Sequence, residues 1–141
     1  MNRTSKVVVT ALAAGLLAGM ASAAAGPTTT ARLHSVGGSR VTGVAALEAH
    51  AAGTTVFVIL RNAEPGARIR ALLHARTCAH SGASSALGAT GNANGAGTVR
   101  ATGHVLFPSQ PVSMRTIADG GHLIAVVAGA RVVACGLVPR G

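Results

Sequence analysis

The chain has 141 residues, a formal net charge of +9 and two aromatic side chains, both phenylalanine. This length suits one hydrophobic core rather than two, and the composition predicts a thin aliphatic core. Arginines that form no tract, with almost no aromatics for base stacking, argue against specific nucleic-acid recognition. Three acidic residues leave little material for a hydrolase, whose nucleophile needs a base held by a third group.

Residues 1–23 have the order of a secretory signal peptide. A start with one arginine and one lysine precedes the apolar run Val7–Met20 and a small-residue cleavage site. We therefore predict cleavage after Ala23, with Ala25 as the next best site, and a secreted product. A retained membrane anchor is the alternative, but the run is shorter than the roughly 20 apolar residues that a span requires, and no later segment is long enough.

Residues 24–30 are predicted to form a flexible leader, and residues 31–141 the folded domain. Period-two alternation and β-branched runs predict the first strands at Val41–Leu47, Thr55–Asn62 and Ala67–His74. A helical turn at Ala45–Ala52 is an alternative that its flanking glycines and short length disfavour. A turn is predicted at Glu64-Pro65-Gly66.

Residues 75–97 are rich in Ala, Gly, Ser and Asn and are predicted to be a long loop that ends in a turn. Strands resume after this loop, at Thr98–Phe107, His122–Ala128 and Val132–Val138. Seven or eight short strands without a helix predict an all-β fold, an antiparallel β-sandwich.

Two cysteines, Cys78 and Cys135, follow the predicted signal peptide. In an exported chain an even number of cysteines predicts a disulfide. Such a bridge would stabilise the fold by about 4 kcal/mol in the chain-entropy model. Two buried free thiols are the alternative.

The histidines are the candidate metal ligands: His34, His50, His74, His80, His104 and His122. A metal-binding strand commonly presents two imidazoles two positions apart, or a loop gathers them with an acid. No two histidines here have that spacing, so each is expected to be a surface or hydrogen-bonded side chain and no resident cofactor is expected. The positions considered for copper or zinc are His74, His80, His104 and His122.

A turn at Pro65-Gly66 precedes a strand that reaches Leu72-Leu73-His74, Cys78 follows, and Ala134-Cys135-Gly136 stands near the end. Over Thr54–Val138 this order resembles the copper/zinc superoxide dismutase superfamily. It is most similar to short, secreted, bacterial dismutase-like members, which overlap the chordin-type domain. The resemblance implies a Greek-key β-sandwich or flattened barrel closed by the intramolecular disulfide.

The sequence departs from that family at the metal positions. Where the family has His-x-His, Leu72 precedes His74, and Val127 stands where a copper histidine precedes Ala-Gly. The segment 79–97 contains His80 and no acid. The resemblance therefore implies the scaffold and the disulfide without a full metal shell.

Arginine dominates the charge after residue 23, where ten arginines and three acids give a net charge of +7. This charge predicts adhesion to anionic cell-surface polymers. Arg131 lies four residues before Cys135, whereas a guiding arginine in the resembling family lies three residues before the cysteine. In a regular strand that offset places the side chain on the other face.

These features predict a secreted dismutase-like domain without redox catalysis, which acts as an extracellular binding or envelope-associated module. The alternative is a superoxide dismutase, converting superoxide to oxygen and hydrogen peroxide, or a copper-binding protein. In that case a reduced metal site would form around His74. Copper content and superoxide turnover distinguish the two hypotheses.

Overall fold

The structure is a computed structural model that describes residues 26–75, 78, 86–107 and 109–141. The predicted signal peptide, both candidate cleavage sites and His80 lie outside the described residues. Within them the chain forms eight strands and one helical turn. The elements are β1 Thr28–Ser35, β2 Thr42–His50, β3 Gly53–Arg61, β4 Arg68–Ala75, β5 Ala86–Asn92, β6 Val99–His104, α1 Met114–Ile117, β7 His122–Ala128 and β8 Arg131–Leu137.

The described strands form one antiparallel sheet in the order β5-β4-β7-β8-β1-β2-β3-β6. Strand β1 joins the two halves of this sheet, because Thr28–Leu33 pair with β2 whereas His34 and Ser35 pair with β8. The halves β1-β2-β3-β6 and β5-β4-β7-β8 share one core and are the two layers of a sandwich.

The edge strands β5 and β6 approach closely enough that the sandwich is nearly a closed, flattened barrel. A Cβ atom added to Gly103 would overlap the carbonyl oxygen of Gly88, and one added to Gly91 would lie 3.0 Å from the Cβ of Ala101. Glycine permits this approach of two backbones. With β5 beside β6, four strands lie in the order β7-β4-β5-β6 of a Greek key. The predicted Greek-key antiparallel β-sandwich is therefore confirmed.

The core between the layers is aliphatic. Leu47, Leu60 and Ile117 are fully buried, together with valines from β3, β6 and β7. Phe57 and Phe107 lie outside this core and are 40% and 47% exposed. Since an aromatic side chain buries more surface than an aliphatic one, stability here depends on many small groups.

Strand β4 shows the alternation that the sequence predicts. Ile69, Ala71 and Leu73 are buried, whereas Arg68 and Arg70 are exposed. The inner face of β4 therefore belongs to the core, and its two arginines project outward.

Three local predictions differ from the structure. The segment 75–97, predicted as a loop, contains β5, whose small residues have low strand propensity but pair with β4. Strand β1 begins within residues 24–30, predicted as a leader. Residues 45–50 belong to β2, in agreement with the strand that the sequence favours over a helical turn at Ala45–Ala52. The helical turn α1, capped by Ser113, stands where no helix is predicted. No helix in the described ranges is long and apolar enough to cross a membrane.

The predicted disulfide between Cys78 and Cys135 is present, with 5.8 Å between the Cα atoms. Cys135 lies in β8 between Ala125 of β7 and His34 of β1, and it is 3% exposed. The bridge therefore fastens residue 78, which follows β4, to the interior of β8.

Candidate functional site

The histidines considered for a metal do not converge within the described residues. His104 ends β6 and His122 begins β7, in different layers of the sandwich. His74 pairs with Leu123 in the sheet, but its side chain lies outside the description, as does all of His80. No group of three or more His, Cys, Asp or Glu residues in the described ranges could hold a metal ion.

Within the described ranges, two of these histidines have side-chain hydrogen bonds. Nδ1 of His104 and Oγ1 of Thr55 share one of 3.2 Å. Nδ1 of His122 donates to Oδ1 of Asp119 at 2.9 Å, and the backbone N–H of Gly121 donates to the same oxygen at 2.7 Å. These two hydrogen bonds, chiefly that from His122, lower the pKa of Asp119 below its ordinary value. The Asp119 carboxylate is thus engaged in a local turn.

Aliphatic residues occupy the two positions at which the resemblance implies copper histidines. Leu72 of β4 pairs with Ala125, and Val127 of β7 pairs with Arg70, so Leu72 and Val127 are diagonal neighbours in adjacent strands. Val127 is 2% exposed. Neither aliphatic side chain offers a lone pair to a metal ion.

Positive charge is concentrated at one end of the barrel. The β1–β2, β3–β4, β5–β6 and β7–β8 connections meet there, because neighbouring strands run antiparallel. We call this the cationic end. Its six arginines, each in or within three residues of one of these connections, are Arg40, Arg61, Arg68, Arg70, Arg100 and Arg131. Among the described residues, Glu64 is the one carboxylate at this end.

At the opposite end of the barrel, the described residues hold as many arginines as carboxylates. These are two arginines, Arg115 and Arg140, and two carboxylates, Glu48 and Asp119. Arg32, the remaining arginine that the structure describes, lies in the interior of β1. In the part of the chain that the structure describes, net positive charge is therefore concentrated at one end of the barrel axis.

One ion pair is present in the described residues, between His122 and Asp119. None of the described arginines therefore forms an ion pair. Two guanidinium groups bond to backbone carbonyls: Arg131 donates to Gly37 at 3.0 Å, and Arg140 donates to Asp119 at 3.2 Å. A guanidinium group without an internal carboxylate keeps its charge and most of its five donors for solvent or for an anion.

Two recesses open at the cationic end. The first has a volume of about 420 Å³ and is lined by Arg40, Arg131, Asn62, Glu64 and the apolar Ile69, among others. The second, of about 420 Å³, is lined by Arg68, Arg70, Thr90 and Gly129. Each recess therefore has two guanidinium groups in its lining, against the Glu64 carboxylate in the first recess and uncharged surface in the second. Both recesses keep an excess of positive charge, which suits the anionic groups of a polymer.

The β3–β4 connection shapes the first recess. Asn62 has φ of 59°, in the left-handed region that asparagine tolerates better than most residues. The N–H of Ala67 donates to the carbonyl of Glu64 at 3.0 Å, and Gly66 has φ of 79°. The turn predicted at these residues is confirmed, and it places Glu64 beside the recess.

A β-bulge determines which face of β8 carries Arg131. Strand β8 has one residue more than β7 just before Ala134, and Arg131 consequently pairs with Ala128. The sequence predicts that Arg131, four residues before Cys135 rather than three, lies on the other strand face from the arginine of the resembling family. This prediction is wrong, because the bulge absorbs the additional residue. Arg131 therefore lies on the opposite face from Cys135, at the first recess.

A scan against models of known protein families gives no match, and a search of curated proteins gives none. The cationic end is not evident from the sequence, because its arginines are dispersed along the chain. One signal was present: Arg61, Arg68 and Arg131 stand at strand ends, beside turn residues.

Proposed function

We propose that the chain is exported and acts, without redox catalysis, as a superoxide dismutase-like module that binds anionic cell-surface polymers through its cationic end. The supporting observation is the segregation of charge in the described residues, with six arginines against one carboxylate at the cationic end and two against two at the other end. Dispersed charge would attract polyanions in any orientation, whereas this distribution favours contact through one end.

A polymer with regularly spaced carboxylate or phosphate groups can contact several guanidinium groups at once. Arg40 and Arg131 flank one recess, and Arg68 and Arg70 flank the other. A single exposed charge pair contributes little in water, but several pairs to one polymer add up and release its counterions. Binding is therefore expected to depend steeply on salt.

The test is binding of the purified protein to alginate, a polymer of carboxylated sugars, with neutral dextran as the control polymer. We expect binding to alginate at low salt and loss of that binding in 1 M salt, where the screening length falls to about 3 Å. We expect no binding to dextran. Alginate binding that persists unchanged in 1 M salt, or equal binding to dextran, would contradict the proposal.

The enzymatic alternative places copper near His74. The described histidines support it weakly, because His104 and His122 lie in different layers and the positions of Leu72 and Val127 are aliphatic. We expect no superoxide turnover above that of free copper. Stoichiometric copper with rapid turnover in the purified protein would favour the alternative, and it would direct attention to His80 and its neighbours.

A further inference from the structure

The outer face of the layer β1-β2-β3-β6 has a composition unlike that of the recesses. One cross-strand row consists of Arg32, Val44, Ile59 and Arg100. The next row consists of Thr30, Ala46, Phe57 and Thr102. We call the surface made by these two rows the amphipathic face.

Large apolar side chains at the centre of this face are exposed to solvent. Val44, Phe57 and Ile59 are 39%, 40% and 38% exposed, whereas Val56 and Val58, which alternate with them in β3, are buried. Directly opposed and diagonal side chains in adjacent strands are close enough to touch. The three side chains therefore make one continuous patch rather than scattered exposed residues.

Arginines border the patch on both sides. Arg32 continues the first row beyond Val44, and Arg100 continues it beyond Ile59. Glu48, one row further along β2, is the nearest carboxylate in the register. An arginine can lay its aliphatic stem along apolar surface while its charge stays in a polar layer.

We propose that the amphipathic face binds the surface of an anionic lipid bilayer. Phe57, Val44 and Ile59 lie at the boundary between headgroups and acyl chains, and Arg32 and Arg100 lie beside lipid phosphates on either side. Basic residues next to a few apolar side chains are the chemistry of peripheral attachment to anionic membranes. This surface shares Arg100 with the cationic end but contains none of the residues that line the two recesses. Membrane binding through it goes beyond the proposed binding of polymers.

Charge favours a bilayer over a second copy of the chain. Two copies packed through this face would bring four arginines together, from Arg32 and Arg100 of each, with one Glu48 from each copy to balance them. Three apolar side chains with about two-fifths of their surface exposed also cover far less than the roughly 800 Å² per partner of a stable protein interface.

A tryptophan reporter tests the proposal directly, since the chain contains no tryptophan. Phe57→Trp places one on the face, and Phe107→Trp is the matched control at another exposed phenylalanine. With vesicles of phosphatidylglycerol and phosphatidylcholine in equal parts, we expect a blue shift in emission for Phe57→Trp and none for Phe107→Trp. No shift in either variant, or the same shift in both, would overturn the proposal.

Vesicle co-sedimentation separates the apolar contribution from the charge. Phe57→Ser with Ile59→Thr keeps every charge and is expected to lower the partition coefficient about tenfold or more, whereas the control Phe107→Ser leaves it unchanged. Urea unfolding of each variant checks its stability. If the Phe57→Ser, Ile59→Thr double variant partitions as strongly as the wild type, charge alone causes adsorption. If the wild type partitions equally onto vesicles of pure phosphatidylcholine, the arginines play no part in binding. Either result overturns the proposal.

Self-association and polymer binding give distinct readouts for the same double variant. A dimer of the wild type that is lost in Phe57→Ser with Ile59→Thr, seen by sedimentation velocity without vesicles, would assign the face to a second copy and overturn the bilayer proposal. Alginate binding by the double variant is expected to be unchanged, because the recesses of the cationic end are intact. Failure of membrane binding is thus distinguishable from failure of the proposed function.

Discussion

Removal of the Cys78–Cys135 disulfide is expected to cost the protein much of its stability. The bridge joins residues that are 57 apart in sequence, and closing a loop of that length stabilises the fold by about 4 kcal/mol in the chain-entropy model. The core compensates little for its loss, because it is aliphatic and both phenylalanines lie outside it. For a domain of this size, 4 kcal/mol corresponds to a fall in Tm of roughly 15 °C.

The perturbation that isolates this effect is Cys78→Ser with Cys135→Ala. Cys135 is 3% exposed, so a serine there would add the cost of burying a hydroxyl group. Urea unfolding followed by far-ultraviolet circular dichroism measures the change, and chemical reduction of the wild type serves as the control. A loss of less than about 1 kcal/mol would refute the loop-entropy argument. Two free thiols in the exported protein would refute the bridge itself.

Three further predictions concern the N-terminus, Asp119 and the copper positions. N-terminal sequencing of the exported protein is expected to begin at residue 24, or else at residue 26, because small residues precede both; a start at Met1 would contradict export. The lowered pKa of Asp119 contributes stability that is present above the ordinary carboxyl pKa of about 4 and is lost as the pH falls through the lower folded value. Asp119→Asn is therefore expected to flatten the acid limb of the stability curve measured by urea unfolding, and an unaltered limb would count against this assignment. Leu72→His with Val127→His is expected to raise copper affinity, measured by titration calorimetry, because the two positions are diagonal neighbours; unchanged affinity would show that they do not converge on one ion.

Local sequence patterns were sufficient for much of the fold. In β4 the alternation of Ile69, Ala71 and Leu73 with arginines identifies both the strand and its buried face, because one layer of the sandwich has water on its outer side. The turn at Glu64 and the disulfide were predictable for similar reasons. Each depends on residue types whose conformational or chemical preference is strong.

Features decided by distant pairing were not predictable in this way. Strand β5 contains mostly small residues, and its conformation is fixed by β4 on one side and by the close approach of β6 on the other. The cationic end arises because Arg61, Arg68 and Arg131 stand at strand ends that antiparallel pairing gathers. The bulge before Ala134 changes which way Arg131 faces. Each of these features depends on the pairing register of the strands, which cannot be read from the sequence alone.

The central claim is that the placement of charge governs binding, and two double variants with the same net charge test it most directly. Arg40→Gln with Arg68→Gln removes two charges from the cationic end, and Arg115→Gln with Arg140→Gln removes two from the opposite end. We predict that the first double variant loses most of its affinity for alginate at low salt. The logarithm of its affinity is also expected to depend less steeply on the logarithm of the salt concentration. We predict that the second double variant binds as the wild type does. Equal losses in the two variants would show that net charge alone drives binding and would contradict the claim.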